Sequence, residues 1–158
     1  MTGAQLNGLF RSASAPDPPP QGLLLGRILT AVFDPYGALV GEACRFWLGK
    51  RFEADGGMNL VTATSRPLLR ALAPSQPLRP GTDGALEGFP FGLRMGVGKL
   101  DLDIEVLILD YALASNPSPR IHRLRDELVA IEGGLYLGKI LIRVGGNYRA
   151  VGFFSLEA

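Results

Sequence analysis

The stretch from Gly134 to Ala158, GLYLGKILIRVGGNYRAVGFFSLEA, decides the fold class of this chain. Two runs rich in branched and aromatic side chains flank Gly145-Gly146-Asn147, a sequence that favours a tight reversal of the backbone. Apolar side chains fall on both faces of these runs, so both faces need to be covered. The stretch predicts a β-hairpin whose inner face packs either against the protein's own core or against a ligand.

The register of this hairpin has two solutions. A three-residue loop at 145–147 sets Gly138 opposite Phe154, so that a small residue faces a large one, as suits a tightly curved sheet. The same loop sets Arg143 opposite Arg149, and like charges directly opposite each other are destabilising. A two-residue loop over the last two of these loop positions avoids that pair. The sequence predicts the hairpin and leaves its register open.

Upstream, short runs between turn residues predict further strands. ACRFWLGKRF and MNLVTAT, separated by Asp55-Gly56-Gly57, predict a second hairpin. In KLDLDIEVLILDY the alternation predicts a strand with one wet face and one buried face. The wet face has Asp101, Asp103 and Glu105, and the buried face has Leu100, Leu102, Ile104, Val106 and Ile108. Because Leu107 to Tyr111 is apolar on both faces, that end of the strand is predicted to be covered.

Helices are predicted at three places. SRPLLRAL predicts a short helix with proline in its first turn, and Pro119 predicts a helical turn before a strand from about Glu127. In LLLGRILTAVF, from Leu23 to Phe33, apolar residues recur at helical spacing and predict an N-terminal helix of about three turns that covers an end or edge of the sheet. Residues 1–22 hold few strand formers and three consecutive prolines, so they are predicted to be a flexible tail that contributes little to the core.

The predicted fold class is mainly β, with a single domain at residues 23–158 after the tail at residues 1–22. About seven strands follow one another without a strand-helix-strand alternation, which predicts an antiparallel meander. A meander has two exposed edges, and closure into a barrel removes them. A closed antiparallel barrel is the first prediction, and a strongly bent sheet that holds a helix is the second.

Composition narrows the functional classes. The 16 Lys and Arg against 15 Asp and Glu give a net charge of +1, so neither nucleic acid nor an anionic membrane is predicted as a partner. Cys44 is the only cysteine, which excludes an internal disulfide and a Cys-based zinc site and favours a cytoplasmic location. The longest apolar run has about eleven residues, fewer than the roughly 20 of a membrane span, and no secretory signal is recognised.

No catalytic or metal-binding residue is assigned, and no cofactor is predicted. Any catalytic arrangement with a histidine would have to use His122, which lies among three arginines on a segment predicted to be exposed. Asp101 and Asp103 lack the further oxygen ligands that calcium or magnesium requires. An enzyme that uses Asp110 with Tyr111 has the least support, and the sequence leaves catalysis uncertain.

The many aromatic residues and the cations of FWLGKRF point to the barrel interior as a binding site. Alternate residues of a strand share a face, so either the face of Lys50 or the face of Arg51 and Trp47 turns inward. A cation that faces inward needs an anionic partner, either the carboxylate of a ligand or an Asp or Glu from another strand. The candidate ligand-binding residues are Trp47, Lys50, Arg51, Tyr111, Tyr136, Ile140 and Phe154.

Two resemblances add to these predictions. Trp47-Leu48-Gly49 is similar to the short Gly-x-Trp signature of lipocalin-like (calycin-type) proteins. Over the last fifty residues the chain resembles the C-terminal half of a group of uncharacterised bacterial proteins. The runs that carry this second resemblance are Leu109-Asp110-Tyr111, Arg125-Asp126-Glu127, Gly134 to Gly138 and Phe153 to Glu157. The lipocalin-like resemblance implies a β-barrel with a small apolar guest.

Two functional hypotheses follow. The first is the binding or carrying of a small hydrophobic ligand in the barrel interior, with a carboxylate on the ligand as one option. The alternative is a protein-interaction or oligomerisation module, in which residues 1–33 and an exposed sheet edge contact a partner or a second copy of the chain. A mean hydropathy of +0.19 is consistent with more apolar surface than one small core uses, which favours this alternative.

Overall fold

The computed structural model describes residues 1–31 and 44–158. Over these residues the fold is mainly β, with nine strands, two α-helices and three short 3₁₀ turns. The strands are β1 (Gly22–Ala31), β2 (Trp47–Phe52), β3 (Gly56–Val61), β4 (Leu78–Pro80), β5 (Leu86–Val97), β6 (Glu105–Asp110), β7 (Leu124–Ala130), β8 (Tyr136–Val144) and β9 (Asn147–Glu157). The helices are α1 (Gly3–Ser12) and α2 (Arg66–Leu72), and the 3₁₀ turns are Ala63–Ser65, Thr82–Gly84 and Ile121–Arg123.

Eight of the strands close into an antiparallel barrel, so the first prediction for the fold class is confirmed. Their order is β3-β2-β1-β9-β8-β7-β6-β5, and β3 pairs with β5 to close the ring. The short strand β4 pairs with the start of β5 and is the ninth strand of the sheet. Because each strand of the ring has a neighbour on both sides, closure removes the exposed edges that an open meander would have.

Strand β5 bends midway, and the bend lets it pair with two different neighbours. Its first half pairs with β3 and its second half with β6. At the bend, Phe89 has a φ of 51°, a left-handed conformation that is rare for a bulky side chain. The carbonyls of Phe89 and Pro90 accept hydrogen bonds from Asn59 Nδ2 (2.9 Å) and Asn116 Nδ2 (2.7 Å), which hold the bent backbone in place.

The barrel interior is packed solid at one end. The residues that fill this end form one buried cluster: Leu24, Phe52, Phe91, Leu107, Leu109, Leu128 and Leu156. Five of these positions lie in the first half of β1 and β6 or near the end of β2, β7 and β9, which point to the same end of an antiparallel ring. Phe91 and Leu109 continue the cluster toward the middle of the barrel. The opposite end, formed by the start of β2 and β7 and by the end of β3 and β8, contains a cavity.

Helix α1 lies on the outside of the barrel. Leu6 and Phe10, one helical turn apart, are buried in a second apolar cluster. Their partners are the outward-facing residues of β6 to β9: Val106, Ile108, Val129, Leu137 and Phe153. This packing explains why the sequence around Leu107 is apolar on both faces. One face points into the barrel and the other is covered by α1, so the prediction of a covered end is confirmed.

Charged residues hold α1 on this surface. Lys139, which is buried on the outside of β8, donates to Asn7 Oδ1 at 2.7 Å, pairs with Asp101 and lies 4.2 Å from the centre of the Phe10 ring. Arg11 also pairs with Asp101, at 2.8 Å. Burial raises the pKa of Asp101, but the hydrogen bonds and charges of Lys139 and Arg11 together outweigh it and lower that pKa. Asp101 is therefore ionised at neutral pH.

The expectation that residues 1–22 contribute little to the core is wrong. Residues 3–12 are helical, and two of them are buried. A capping box starts the helix: Gln5 N donates to Thr2 Oγ1 (3.3 Å) and Thr2 N donates to Gln5 Oε1 (2.8 Å). The Thr-x-x-Gln spacing and the i, i+4 pair of Leu6 and Phe10 are visible in the sequence. The prolines that suggested a tail come only after this helix has ended.

The prediction of a helix from Leu23 to Phe33 is wrong over the residues that the structure describes. Residues 22–31 form β1, which pairs with β2 and β9, and the last two positions of the predicted helix lie outside the described residues. Leu24 and Ile28 face inward, whereas Leu25 on the other face is exposed. Strand pairing on both sides therefore overrides the apolar spacing, which fits a helix equally well.

The predicted strand through Leu100 begins only at Glu105. Residues 98–104 instead form the reversal between β5 and β6, closed by a hydrogen bond from Gly98 N to Ile104 O at 3.0 Å. The predicted faces are also wrong there, because Leu102 is 76% exposed while Asp101 is only 4% exposed. The ion pairs of Asp101 with Lys139 and Arg11 explain the inversion, since a paired and hydrogen-bonded carboxylate can be buried.

The final hairpin follows neither predicted register along its whole length. Its loop is Gly145-Gly146, with φ angles of 58° and 90°, as a two-residue reversal between twisted strands requires. A shift between Ile140 and Leu141 then brings Gly138 opposite Phe154, as in the three-residue solution. The two-residue loop avoids the facing arginines, because Arg143 lies opposite Tyr148, and the bulge restores the small-to-large pairing.

Three further predicted elements are present, although β7 begins at Leu124 and not at about Glu127. The hairpin of β2 and β3 is present, α2 covers the predicted SRPLLRAL helix, and the 3₁₀ turn at Ile121–Arg123 precedes β7. Within residues 1–31 and 44–158, none of the helices has both the length and the apolar character needed to cross a bilayer.

The packing of α1 generates a prediction about stability. Replacing Phe10 by alanine should lower the free energy of unfolding by about 3–5 kcal/mol, because it leaves a cavity between α1 and the sheet. Leu9→Ala is the matched control, since Leu9 is 36% exposed on the same helix, and its loss should stay below about 1 kcal/mol. Urea denaturation measures both values. Equal losses for the two variants would contradict the docking of α1.

Candidate functional site

The cavity at the unfilled end of the barrel has a volume of about 420 Å³. Small-molecule sites typically measure roughly 300–1,000 Å³. Every strand of the ring except β6 contributes a lining residue, and Tyr111, just after β6, completes the circle. Leu69 of α2 and Ile121 of the adjacent 3₁₀ turn add to the lining from the end of the barrel. The apolar lining includes Ile28, Val61, Phe89, Leu124, Ile140 and Ile142.

Trp47 and Phe154 form an aromatic wall of the cavity. Their rings meet edge to face, with centroids 5.3 Å apart. Each ring lies across a glycine, because a Cβ at Gly26 would overlap the Trp47 ring and a Cβ at Gly138 would overlap the Phe154 ring. The two glycines thus let large rings lie against the barrel wall and leave space in front of them.

A β-bulge brings Trp47 and Lys50 to the same face of β2. The register of β2 against β3 shifts between Trp47 and Gly49, so the strict alternation that the sequence suggests does not hold there. Both side chains line the cavity. Arg51 points to the other side of the strand, where it pairs with Glu87 at 2.7 Å.

Four polar side chains meet at the floor of the cavity: Lys50, Asn59, Tyr111 and Asp126, which we call the polar cluster. Lys50 Nζ is 2.9 Å from Asp126 Oδ2, 2.8 Å from Asn59 Oδ1 and 2.7 Å from the Tyr111 hydroxyl. That hydroxyl donates to Asp126 Oδ2 at 2.9 Å and accepts from Asn59 Nδ2 at 3.1 Å. The ammonium group therefore donates to two acceptors within the protein and forms an ion pair with a third group, Asp126.

The ion pair of the polar cluster crosses the barrel. Lys50 lies on β2 and Asp126 on β7, and three strands of the ring separate these two on either side. The cation is also surrounded by aromatic rings, with Nζ 5.2–5.4 Å from the ring centres of Trp47, Phe91, Tyr111 and Phe154. Such contacts stabilise a cation by about 0.5–2 kcal/mol each. Lys50 is only 2% exposed, and its buried ammonium group is stabilised by hydrogen bonds, by an ion pair and by these rings.

The surroundings of Tyr111 and Cys44 determine whether these two side chains keep their protons. Burial, and then the charge of Asp126, raise the pKa of Tyr111 well above its ordinary value, so its hydroxyl keeps the proton that it donates. Burial also raises the pKa of Cys44, which lines the cavity, to about 11, with a further contribution from Asp126 and an opposing one from Lys50. The Cys44 thiol is consequently protonated at neutral pH, and a protonated thiol is a poor nucleophile.

The structure brings five of the seven candidate ligand-binding residues together. Trp47, Lys50, Tyr111, Ile140 and Phe154 all line the cavity. The other two lie elsewhere. Arg51 is bonded to Glu87 and Thr82 on the outer side of the barrel, and Tyr136, at the first position of β8, packs against the apolar cluster of the filled end. Of the two partners considered for an inward cation, the structure shows the one from another strand, Asp126.

Sequence reasoning missed several cavity residues. Asp126 alternates with Leu124 and Leu128 and so shares their apolar, inward face. A carboxylate in that position could have indicated the partner of Lys50. Asn59 stands opposite Lys50 in the hairpin of β2 and β3, which the predicted hairpin could have indicated. Arg120 and Arg123, taken as part of an exposed basic segment, also line the cavity. No sequence pattern predicts that these two arginines line the cavity, because this depends on where the 3₁₀ turn packs.

The chemistry of the site is that of recognition by a mainly apolar wall and a few placed polar groups. Asp110 accepts a hydrogen bond from the backbone of Ala112 at 2.9 Å and does not line the cavity, so it is not joined with Tyr111 in one pocket. In the described part of the chain, no group of three or more His, Cys, Asp or Glu side chains is arranged to hold a metal ion.

Comparison of the chain with protein-family profiles, curated proteins and solved structures gives no match.

The polar cluster generates a prediction. Lys50→Met should lower the free energy of unfolding by about 3–5 kcal/mol, because it leaves the Asp126 carboxylate buried without its cation. The double variant Lys50→Met/Asp126→Asn removes both charges, keeps an acceptor for Tyr111 and should lose clearly less. Urea denaturation of the wild type and the single and double variants gives the coupling energy. Additive losses would mean that the two charges do not stabilise each other.

Proposed function

We propose that this protein binds or carries a small hydrophobic molecule in the cavity at the unfilled end of its barrel. The observation that carries the proposal is the contrast between the two halves of the interior. One half is packed with apolar side chains, whereas the other holds a cavity of about 420 Å³ with aromatic and aliphatic walls. Protein interiors normally contain few voids larger than a water molecule, so a cavity of this size is best explained by a guest.

The shape of the site supports the same proposal. Eight-stranded barrels are the size class whose interior either fills with side chains or holds one small ligand. A lipocalin-like assignment is part of the proposal, and it is supported by the ring of eight antiparallel strands, by the cavity at one end and by Trp47 in its wall. The guest would contact Trp47 and Phe154 along one wall and Ile140 and Ile142 along the next.

Trp47 allows a direct test, because it is the only tryptophan of the chain and lines the cavity. Titration with dodecanol should change the tryptophan emission and reach saturation. Filling the cavity with Ile121→Phe/Ile142→Phe should weaken this binding by about tenfold or more, because one guest methylene contributes about 0.8 kcal/mol when buried.

Val97→Phe is the matched control, since Val97 is 54% exposed and does not line the cavity, and it should bind like the wild type. Native mass spectrometry of the purified protein provides an independent readout. A wild-type protein that emerges empty and binds neither dodecanol, fatty acids nor apolar dyes would refute the proposed function.

A second candidate function is a contact with a partner or a second copy of the chain. One observation favours it: Leu23, Leu25 and Leu29 on the outer face of β1 and Leu48 on the neighbouring β2 are all exposed. Clustered apolar residues on a surface mark interaction sites more often than scattered ones do.

This candidate can be tested without disturbing the barrel. Leu25 is 59% exposed and pairs with Glu157 across the strands, so Leu25→Lys adds a favourable cross-strand charge pair. If the outer face of β1 is an interface between copies, the variant should shift sedimentation from dimer to monomer at equal concentration. If the wild type is monomeric at its highest soluble concentration, the outer face of β1 is not an interface between copies of the chain.

A further inference from the structure

Given the proposed function, the charges that line the cavity indicate the chemical class and the orientation of the guest. The cavity carries charge at two levels. The floor holds the polar cluster with Lys50 and Asp126, and the 3₁₀ turn at the end of the barrel contributes Arg120 and Arg123 to the lining. The charges at the floor are already paired with each other, whereas the two arginines are not paired with a carboxylate of residues 1–31 or 44–158.

The floor offers no site for an anion. Lys50 donates to Asn59 and Tyr111, and its charge is already paired with Asp126 at 2.9 Å. The Asp126 carboxylate of this ion pair would repel an added carboxylate at close range, where little water screens the charges. The sequence suggested Lys50 or Arg51 as counter-charge for a ligand, but Arg51 is on the outer side with Glu87.

The mouth is different. Arg120 and Arg123 are exposed, and among the described residues neither has a carboxylate partner. Arg120 caps the turn and Arg123 ends it, with Arg123 N bonded to Arg120 O at 3.2 Å. Side chains three positions apart in a 3₁₀ turn are eclipsed, so both guanidinium groups extend from the same side of the turn. Guanidinium groups match the geometry of carboxylate and phosphate oxygens.

We propose that the guest is an amphiphile with an anionic head group, of the carboxylate or phosphate class, that binds tail-first. Its apolar tail lies between the aromatic wall of Trp47 and Phe154 and the polar cluster at the floor. Its head group stays at the mouth and is held by Arg120 and Arg123. Lys50 has no role as counter-charge to this head group.

Three probes with the same tail test this proposal: dodecanoate, dodecanol and dodecyltrimethylammonium, each kept below the concentration at which it forms micelles. At low ionic strength, dodecanoate should bind the wild type about tenfold more tightly than dodecanol, and the cation should bind most weakly. Higher salt should reduce the preference for dodecanoate, because the head group and the arginines are exposed to solvent.

The variant Arg120→Gln/Arg123→Gln should bind dodecanoate about tenfold more weakly and dodecanol within about twofold of the wild type. The control Arg27→Gln/Arg94→Gln removes the same charge from exposed positions that do not line the cavity, and it should leave both affinities unchanged. Dodecyl phosphate in place of dodecanoate distinguishes the two head-group classes, and preferential binding of either supports the inference.

The outcomes separate the inference from the function on which it rests. Dodecanol binding with no preference for dodecanoate overturns the head-group inference and leaves the binding function standing. Equal weakening of both probes by Arg120→Gln/Arg123→Gln also overturns it, because the arginines would then act on the shape of the cavity. A loss of dodecanoate binding in the control variant would overturn it as well, because the preference for dodecanoate would then come from the overall charge of the protein. Binding of no probe at all overturns the inference and the proposed function together.

Discussion

The ion pair between Lys50 and Asp126 is the interaction on which the interior of this barrel depends. Removing both groups from water has a large desolvation cost, which only well-placed partners offset. Here the ammonium has two hydrogen-bond acceptors besides Asp126 and is surrounded by four aromatic rings. Because β2 and β7 stand opposite each other in the ring, these partners are all in place only when the two walls are aligned in one way. The pair therefore selects one arrangement of the closed sheet against others with a similar apolar pattern.

The same pair divides the interior into two unlike halves. On one side, apolar residues are almost completely buried in a single cluster. On the other, Trp47 and Phe154 lie against glycines of the wall, and the volume in front of them stays open. An apolar cavity lowers stability because its lining atoms lose contacts. Larger side chains at Gly26 or Gly138 would strike the rings, so the wall is built to keep the rings back from the centre. A bound guest would restore the missing contacts, and in this way the architecture of the cavity supports the proposed function.

Much of the fold could be predicted from alternation and turn residues, and the failures share a cause. The last hairpin, the hairpin of β2 and β3 and helix α2 are encoded locally, and closure follows from the need to remove exposed edges. The apolar spacing of β1 fits both a helix and a strand, and pairing on both sides decides for the strand. Alternation predicts a wet face for Asp101, because the partners that bury it, Lys139 and Arg11, are distant in sequence. For the site, alternation allowed either Lys50 or Trp47 inside, and only the bulge at Gly49 places both there.

Asn59 couples the polar cluster to the shape of the cavity. Its Oδ1 accepts from Lys50 and Trp47, and its Nδ2 donates to Tyr111 and to the carbonyl of Phe89, which uses the full hydrogen-bonding capacity of an amide side chain. Phe89 lies at the strained bend of β5, and a non-glycine residue in the left-handed region costs about 1–3 kcal/mol and persists only where its surroundings hold it there. The side chain that orients the ammonium therefore also holds the bend that shapes the wall. One amide group therefore connects the charged groups at the floor with the backbone of the bend.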